Sequence, residues 1–269
     1  MKPHLFLIHG WNMHSGIWGP LKDCLAARFE LTVAELPGYD SCGQPNATTL
    51  TGEQQELPIS ELTRQMLDSI DEQAPPRALW CGWSLGATLA MAAACRPEAG
   101  PNQMEGLILL APTPRFLKSN DWEFGMPSSS FDRLTRITLK RYSTGLNAFL
   151  KLQLAGTDGE SMMTQLERLL AGKRPSDQAL MEGQRILCEL DLREKLAAIR
   201  LPTLVVAASQ DDVVPPSASR WVSDQIEDSD WAELGEGHAF PITDAPELAT
   251  LISNRFSPNA GPAESGHGI

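Results

Sequence analysis

The fold is decided by the stretch Ala78-Leu79-Trp80-Cys81-Gly82-Trp83-Ser84-Leu85-Gly86, continued by Ala87-Thr88-Leu89-Ala90-Met91-Ala92-Ala93-Ala94. An apolar run of strand length is followed by a serine flanked by glycines, then by an alanine-rich segment of helix length. The G-x-S-x-G pattern, set between a strand and a helix, reads as a nucleophile elbow, a turn that exposes the serine oxygen at the end of a sheet. Gly82 and Gly86 lack a Cβ, so strand and helix can approach closely around Ser84. A helix starting just after the serine also brings free amide donors and the positive end of its dipole beside the oxygen.

Working outward, the segments on either side alternate between strand and helix. Leu5-Phe6-Leu7-Ile8 is a continuous apolar run, as in a central strand buried on both faces. It ends in His9-Gly10-Trp11-Asn12, at the carboxyl end of the strand, where open α/β sheets place their ligands. Trp18 to Phe29 carries apolar residues at helical spacing, and Leu31 to Leu36 reads as the next strand. Cys42 to Pro58 is polar and reads as a surface loop. A helix follows over Ile59 to Ile70, with Ser60 as its cap. Leu107 to Ala111 is a further strand, but from Thr113 to Leu187 there are only helical patterns. Thr203 to Ala208 restores the strand pattern, followed by a helix at Ala218 to Ile226. A last strand is expected at Asp230 to Leu234 and a last helix at Pro246 to Phe256. The expected architecture is a mostly parallel α/β sheet flanked by helices. Its core is residues 1–112 and 188–256, a helical lid is inserted at 113–187, and 257–269 forms a disordered tail.

A serine hydroxyl needs a base, and the base needs a third group to hold its tautomer. In this kind of fold the order is Ser, then Asp or Glu, then His. Only His238 and His267 lie downstream of Ser84, and His267 is in the tail. His238, in Gly237-His238-Ala239 just after the last strand, is the candidate base. The acid belongs on the loop after the 203–208 strand, where Asp211 and Asp212 compete. The amides of Leu85 and Trp11 are placed to act as oxyanion donors. His9 reads as a loop-bracing residue and His14 as a polar loop residue.

Composition bounds the partners. With 269 residues, 42% hydrophobic, the chain can bury one core with room for an insertion. A net charge of −12 argues against nucleic acid or an anionic membrane as partner. The five cysteines lack metal-ligand spacing and read as free thiols of a reducing cytosol; no metal, no cofactor and a monomer are expected. No signal sequence and no run of membrane-spanning length is visible, so a cytoplasmic location is expected.

These motifs together, with Leu36-Pro37-Gly38 and Asp211-x-x-Val214-Pro215, resemble the α/β-hydrolases. More narrowly, the chain resembles the pimeloyl-[acyl-carrier protein] methyl ester esterases of biotin synthesis. That match is carried by Trp83 before the serine, by Thr113-Pro114-Arg115-Phe116 with Trp122, by Phe149-Leu150-Lys151-Leu152-Gln153, and by Asp191-Leu192-Arg193. The resemblance implies a serine carboxylesterase that forms an acyl-enzyme on Ser84, with methanol as the leaving group. The family spacing favours Asp211 as the acid. Carried over by position, Trp11, Leu85, Phe149, Leu150, Lys151, Leu152 and Gln153 line the acyl channel. The implied partner is an acyl-carrier protein bearing a pimeloyl methyl ester. The chain departs from the family in starting almost at the first buried strand, so the antiparallel edge strands usual at this fold's start are expected to be missing or shortened. It also has Thr144 and Ala148 near Phe149, where relatives hold basic residues. Even so, residues 113–155 hold seven Lys/Arg against three acids. Arg133, Arg136 and Lys140 fall on one helix face, opposite Phe131, Leu134, Thr138 and Tyr142, and form the candidate docking face. Two other readings stand beside this one: a general short-chain esterase or thioesterase, and a catalytically silent binding module. A haloalkane dehalogenase would need an aspartate at position 84.

Overall fold

The computed structural model describes residues 2–39, 57–96, 104–157 and 159–257. The expected 42–58 loop and 257–269 tail therefore fall almost wholly outside the described residues. Six strands form one sheet: β1 His4–Ile8, β2 Glu30–Val33, β3 Ala78–Trp83, β4 Met104–Leu110, β5 Thr203–Ala207 and β6 Ser229–Glu233. Their order is β2-β1-β3-β4-β5-β6, and every pairing is parallel. β3 and β5 are buried along their full length, as parallel strands covered on both faces must be.

The flanking helices are α1 Gly19–Leu25, α2 Ile59–Asp71, α3 Leu85–Ala94, α8 Pro216–Gln225, α9 Phe240–Thr243 and α10 Ala245–Phe256. Between β4 and β5 lie four more: α4 Ser128–Lys140, α5 Tyr142–Gln153, α6 Gly159–Leu169 and α7 Asp177–Glu189. The insertion has no named strand among its described residues, as its sequence pattern predicts. Its two ends are tied together. The Leu192 amide donates to the Pro114 carbonyl at 2.8 Å, and Asp191 bridges Arg115 at 2.9 Å and Arg193 at 2.7 Å. Arg193 also pairs with Asp121 at 2.9 Å and lies over the Trp122 ring. The Arg115 and Asp191-Leu192-Arg193 motifs thus form a clasp at the base of the insertion.

Several boundaries differ from those read in the sequence. The periodic stretch from Trp18 to Phe29 is only partly helical: Trp18 closes a short 3-10 helix, Ser15–Trp18, and α1, which opens on Gly19-Pro20, stops at Leu25. β2 stops at Val33 rather than Leu36. The Ala34 amide still donates to the Leu7 carbonyl of β1 at 2.9 Å, but beyond it the amides leave the ladder: Glu35 N–H donates to Gln73 Oε1 at 2.9 Å and Leu36 N–H to His9 Nε2 at 3.2 Å. Ser60 does not cap α2; Pro58 occupies the cap position, and its carbonyl accepts from Glu61 and Leu62. Tyr142 opens α5 instead of extending the apolar face of α4. Among the described residues, no helix is long and apolar enough to cross a membrane, and no cluster of His, Cys, Asp and Glu could hold a metal ion.

Candidate active site

Ser84 stands between β3 and α3 with φ 57° and ψ −116°, a conformation that strains any residue carrying a Cβ. Surrounding bonds hold it there. Its N–H donates to the Leu110 carbonyl at 3.0 Å, and its carbonyl accepts from Thr88 N–H at 3.0 Å. The flanking glycines are required by contact. A Cβ on Gly82 would run into the Gly86 carbonyl, and one on Gly86 into the Ile8 carbonyl. The crossing of strand and helix at the elbow is therefore closed to any side chain, as the pentapeptide predicts.

His238 is fully buried and follows β6. Its Nδ1 donates to Asp211 Oδ2 at 2.7 Å, while Asp211 Oδ1 accepts the Val213 and Val214 amides, both at 2.8 Å. The competition between the two aspartates is thereby resolved geometrically: Asp211 is buried on the histidine and Asp212 is exposed. With Nδ1 committed to Asp211, Nε2 is the ring atom left to accept a proton. It is buried and has no partner among the described residues. Trp83 links this loop to the elbow. Its indole N–H donates to the His238 carbonyl at 3.1 Å, and the two rings lie 5.5 Å apart.

The loop after β1 reaches the same place. A Cβ on Gly10 would meet Ser84 Cβ at 3.3 Å, so this loop passes directly over the serine. Leu85 opens α3, and its N–H therefore lacks an intrahelical acceptor. His9 is buried, with Nδ1 on the Gly10 carbonyl at 2.9 Å and Nε2 accepting from Leu36, the bracing role its position suggests. His14 differs from its expected role as a polar loop residue. It is buried, and its Nδ1 accepts from Gly16 N–H to cap the 3-10 helix. Burial lowers its pKa.

The residues carried over as a channel do not share one environment. The Trp11 ring is 5.3 Å from both Phe131 of α4 and Phe149 of α5, each edge-on. Phe149, Leu150 and Gln153 are buried, Leu152 is half-buried, and Lys151 is exposed on the outer side of α5. Lys151 is thus separated from the others, because neighbours on a helix diverge by about 100° per residue. Gln153 also has an unforeseen role through its backbone. Its carbonyl accepts from Ala239 N–H at 3.1 Å and would lie 2.6 Å from a Cβ on Gly237. The end of α5 therefore packs on the histidine loop. Arg133, Arg136 and Lys140 are all exposed on α4, while Phe131, Leu134 and Thr138 are buried.

The comparisons with known proteins agree with this geometry. A model of the alpha/beta hydrolase family matches residues 5–250. The pimeloyl-[acyl-carrier protein] methyl ester esterase of Nitrosospira multiformis is 34% identical, over 95% of this chain and 94% of its own. That of Stenotrophomonas maltophilia is 32% identical, over 98% and 96%. Among solved structures, an esterase from Exiguobacterium antarcticum superposes with a TM-score of 0.76 at 19% identity, covering 94% of this chain and 91% of that one. The enol-lactonase of Burkholderia xenovorans gives 0.74 at 17%, with the same coverage. At such identities the two structures speak for the fold alone, but the family match and the esterase relatives span nearly the whole sequence. The chain belongs to the alpha/beta hydrolase family.

Proposed function

We propose that this chain is a serine carboxylesterase that removes the methyl group from a pimeloyl-[acyl-carrier protein] methyl ester, in the cytoplasm. The observation that carries the chemistry is the His238–Asp211 pair, with a buried, unpartnered Nε2 in the loop packed on Trp83 beside the strained Ser84. The substrate reading rests on relatives that are esterases of that name and align over the full chain. A thioesterase reading has no feature of its own to set against them.

In this mechanism His238 Nε2 takes the proton from Ser84 Oγ as the oxygen attacks the ester carbonyl. Asp211 holds Nδ1–H and stabilises the imidazolium. The developing oxyanion is received by the Leu85 and Trp11 amides. Nε2–H then protonates the methoxide, and methanol leaves. Water activated by the same nitrogen attacks the acyl-enzyme and releases the free carboxylic acid, still attached to its carrier. The edge-to-face set of Trp11, Phe131 and Phe149 supplies an apolar wall suited to the methylene chain. The helical insertion, residues 113–187, acts as a lid over that wall.

Arg133, Arg136 and Lys140 are the proposed docking face for the acidic carrier. They are exposed on α4 and form no ion pair among the described residues, so the helix presents uncompensated positive charge in a chain of net −12. Such a face steers an anionic partner against the overall repulsion. The test of the substrate is growth without biotin of a strain lacking its own methyl esterase. The wild-type gene restores growth and Ser84→Ala does not; failure of the wild-type gene, with the protein expressed and active on p-nitrophenyl esters, moves the reading to a general esterase.

A further inference from the structure

The lid makes a contact with the oxyanion loop that does more than cover it. Trp11 Nε1–H donates to the Leu180 carbonyl of α7 at 2.9 Å. One turn further along, Gly183 is pressed against the same loop. A Cβ there would lie 2.8 Å from Trp11 Cδ1, 3.3 Å from Leu85 Cδ2 and 2.6 Å from the Tyr39 hydroxyl. Tyr39 in turn donates to the Ala179 carbonyl at 3.3 Å, so three consecutive contacts of α7 fall on this loop and its neighbour. The Trp11 ring has little room to yield, because Phe131 and Phe149 hold it edge-on from α4 and α5.

We propose that α7 positions the oxyanion hole, with Gly183 and the Leu180 carbonyl as the points through which the lid holds the Trp11 and Leu85 amides in register. Of the three side chains met at Gly183, two belong to the residues assigned as oxyanion donors, Trp11 and Leu85, and the third is that of Tyr39. A side chain at 183 would have to displace either the helix or the indole, because contacts below 3.0 Å with a ring and a buried hydroxyl cannot be relieved by a rotamer change. With the indole held edge-on by Phe131 and Phe149, a displacement at Gly183 is passed on to the Trp11 backbone amide. Gly183 and Leu180 touch no reacting atom, so they act only through Trp11 and Leu85. This inference rests on the esterase reading above.

The experiment compares wild type, Gly183→Ala and Trp11→Phe on p-nitrophenyl butyrate, with butylboronic acid as an analogue of the tetrahedral adduct on Ser84. Displacing an oxyanion donor by a few tenths of an ångström costs about tenfold in rate, below the loss from deleting one. Gly183→Ala is expected to lower kcat about tenfold with KM within about twofold, and to weaken boronate inhibition by the same factor. The pH at which activity rises should stay unchanged, since the His238–Asp211 pair is untouched. Trp11→Phe keeps an aromatic ring between Phe131 and Phe149 but loses the bond to Leu180, and should repeat the pattern. It decides the matter if Gly183→Ala does not fold. Wild-type kcat and boronate inhibition in the folded variants would overturn the proposal, as would a KM-only effect. A wild type inert toward both ester and boronate would instead defeat the esterase reading itself.

Discussion

Replacing Asp211 by asparagine changes one atom and, by the geometry of its loop, should nearly silence the enzyme. Oδ1 of Asp211 accepts two backbone amides, from Val213 and Val214, each at 2.8 Å. Only an oxygen can satisfy both, so an asparagine there must keep its carbonyl on the turn and direct its NH2 at His238. The imidazole Nδ1, 2.7 Å away, then has to accept rather than donate. That choice places the ring proton on Nε2, the atom that has to receive a proton from Ser84. The base is held in the wrong tautomer and its imidazolium loses a buried counter-charge. Errors of this kind cost about 10³- to 10⁴-fold in kcat, or roughly 4 to 5.5 kcal/mol of barrier. Thermal stability should fall far less, because the two turn bonds survive. Initial rates on p-nitrophenyl butyrate provide the assay, with Asp212→Asn as the exposed control, expected within about twofold of wild type because it breaks no buried contact. Loss of less than tenfold at position 211, or an equal loss at 212, would refute the argument.

Other expectations follow from the same coordinates. Gly86→Ala should prevent folding or lower Tm sharply, by about 4 kcal/mol or more, since its Cβ meets the Ile8 backbone and nothing flexible; thermal melts decide it. Reversing Arg133, Arg136 and Lys140 together should raise KM for the carrier-bound ester about tenfold or more at low salt, while leaving a small soluble ester unaffected. Equal effects on both substrates would remove the docking face. Burial pushes the Glu35 carboxyl up, but the hydrogen bonds it accepts, the Ser15 amide among them, outweigh it and bring its pKa down to about 2. A pKa below the unfolded value means stability that is present above about pH 4.5 and lost as the pH falls toward 2. Glu35→Gln should therefore melt earlier than wild type at pH 7, by about 1–2 kcal/mol, with the gap closing below pH 4. A gap that is constant across this range would contradict the assignment.

The alternation of strands and helices was legible because parallel strands buried on both faces leave unbroken apolar runs, as in Leu5 to Ile8 and Thr203 to Ala207. The order of the candidate triad was legible too, since Ser84, the Asp211-Asp212 pair and His238 sit in loops at the ends of such runs, and the structure brings His238 onto Asp211. Between the adjacent aspartates, only the spacing carried over from the family favours Asp211; the residues by themselves leave both open. The choice depends on which carboxylate faces inward, and that is set by the Val213 and Val214 amides. Strand β2 ended early for a reason no local pattern carries, namely that side chains 27 and 38 residues away capture the Leu36 and Glu35 amides. Lys151 was grouped with Phe149 by motif, yet helical periodicity turns it outward. Gly183 and the carbonyls of Leu180 and Gln153 were invisible in the sequence, because backbone atoms and missing side chains acquire a role only through tertiary contact. In the sequence Gly183 is simply a glycine within a helix.

On the proposed function, Ser84 cleaves a methyl ester at the far end of a carrier-bound chain and spares the thioester. Intact-mass measurement of a pimeloyl-[acyl-carrier protein] methyl ester, incubated with wild type and with Ser84→Ala, tests it directly. Wild type should leave the carrier lighter by one methylene with its acyl chain still attached, and Ser84→Ala should leave it unchanged. Release of the bare carrier thiol, or no change with wild type, would contradict it.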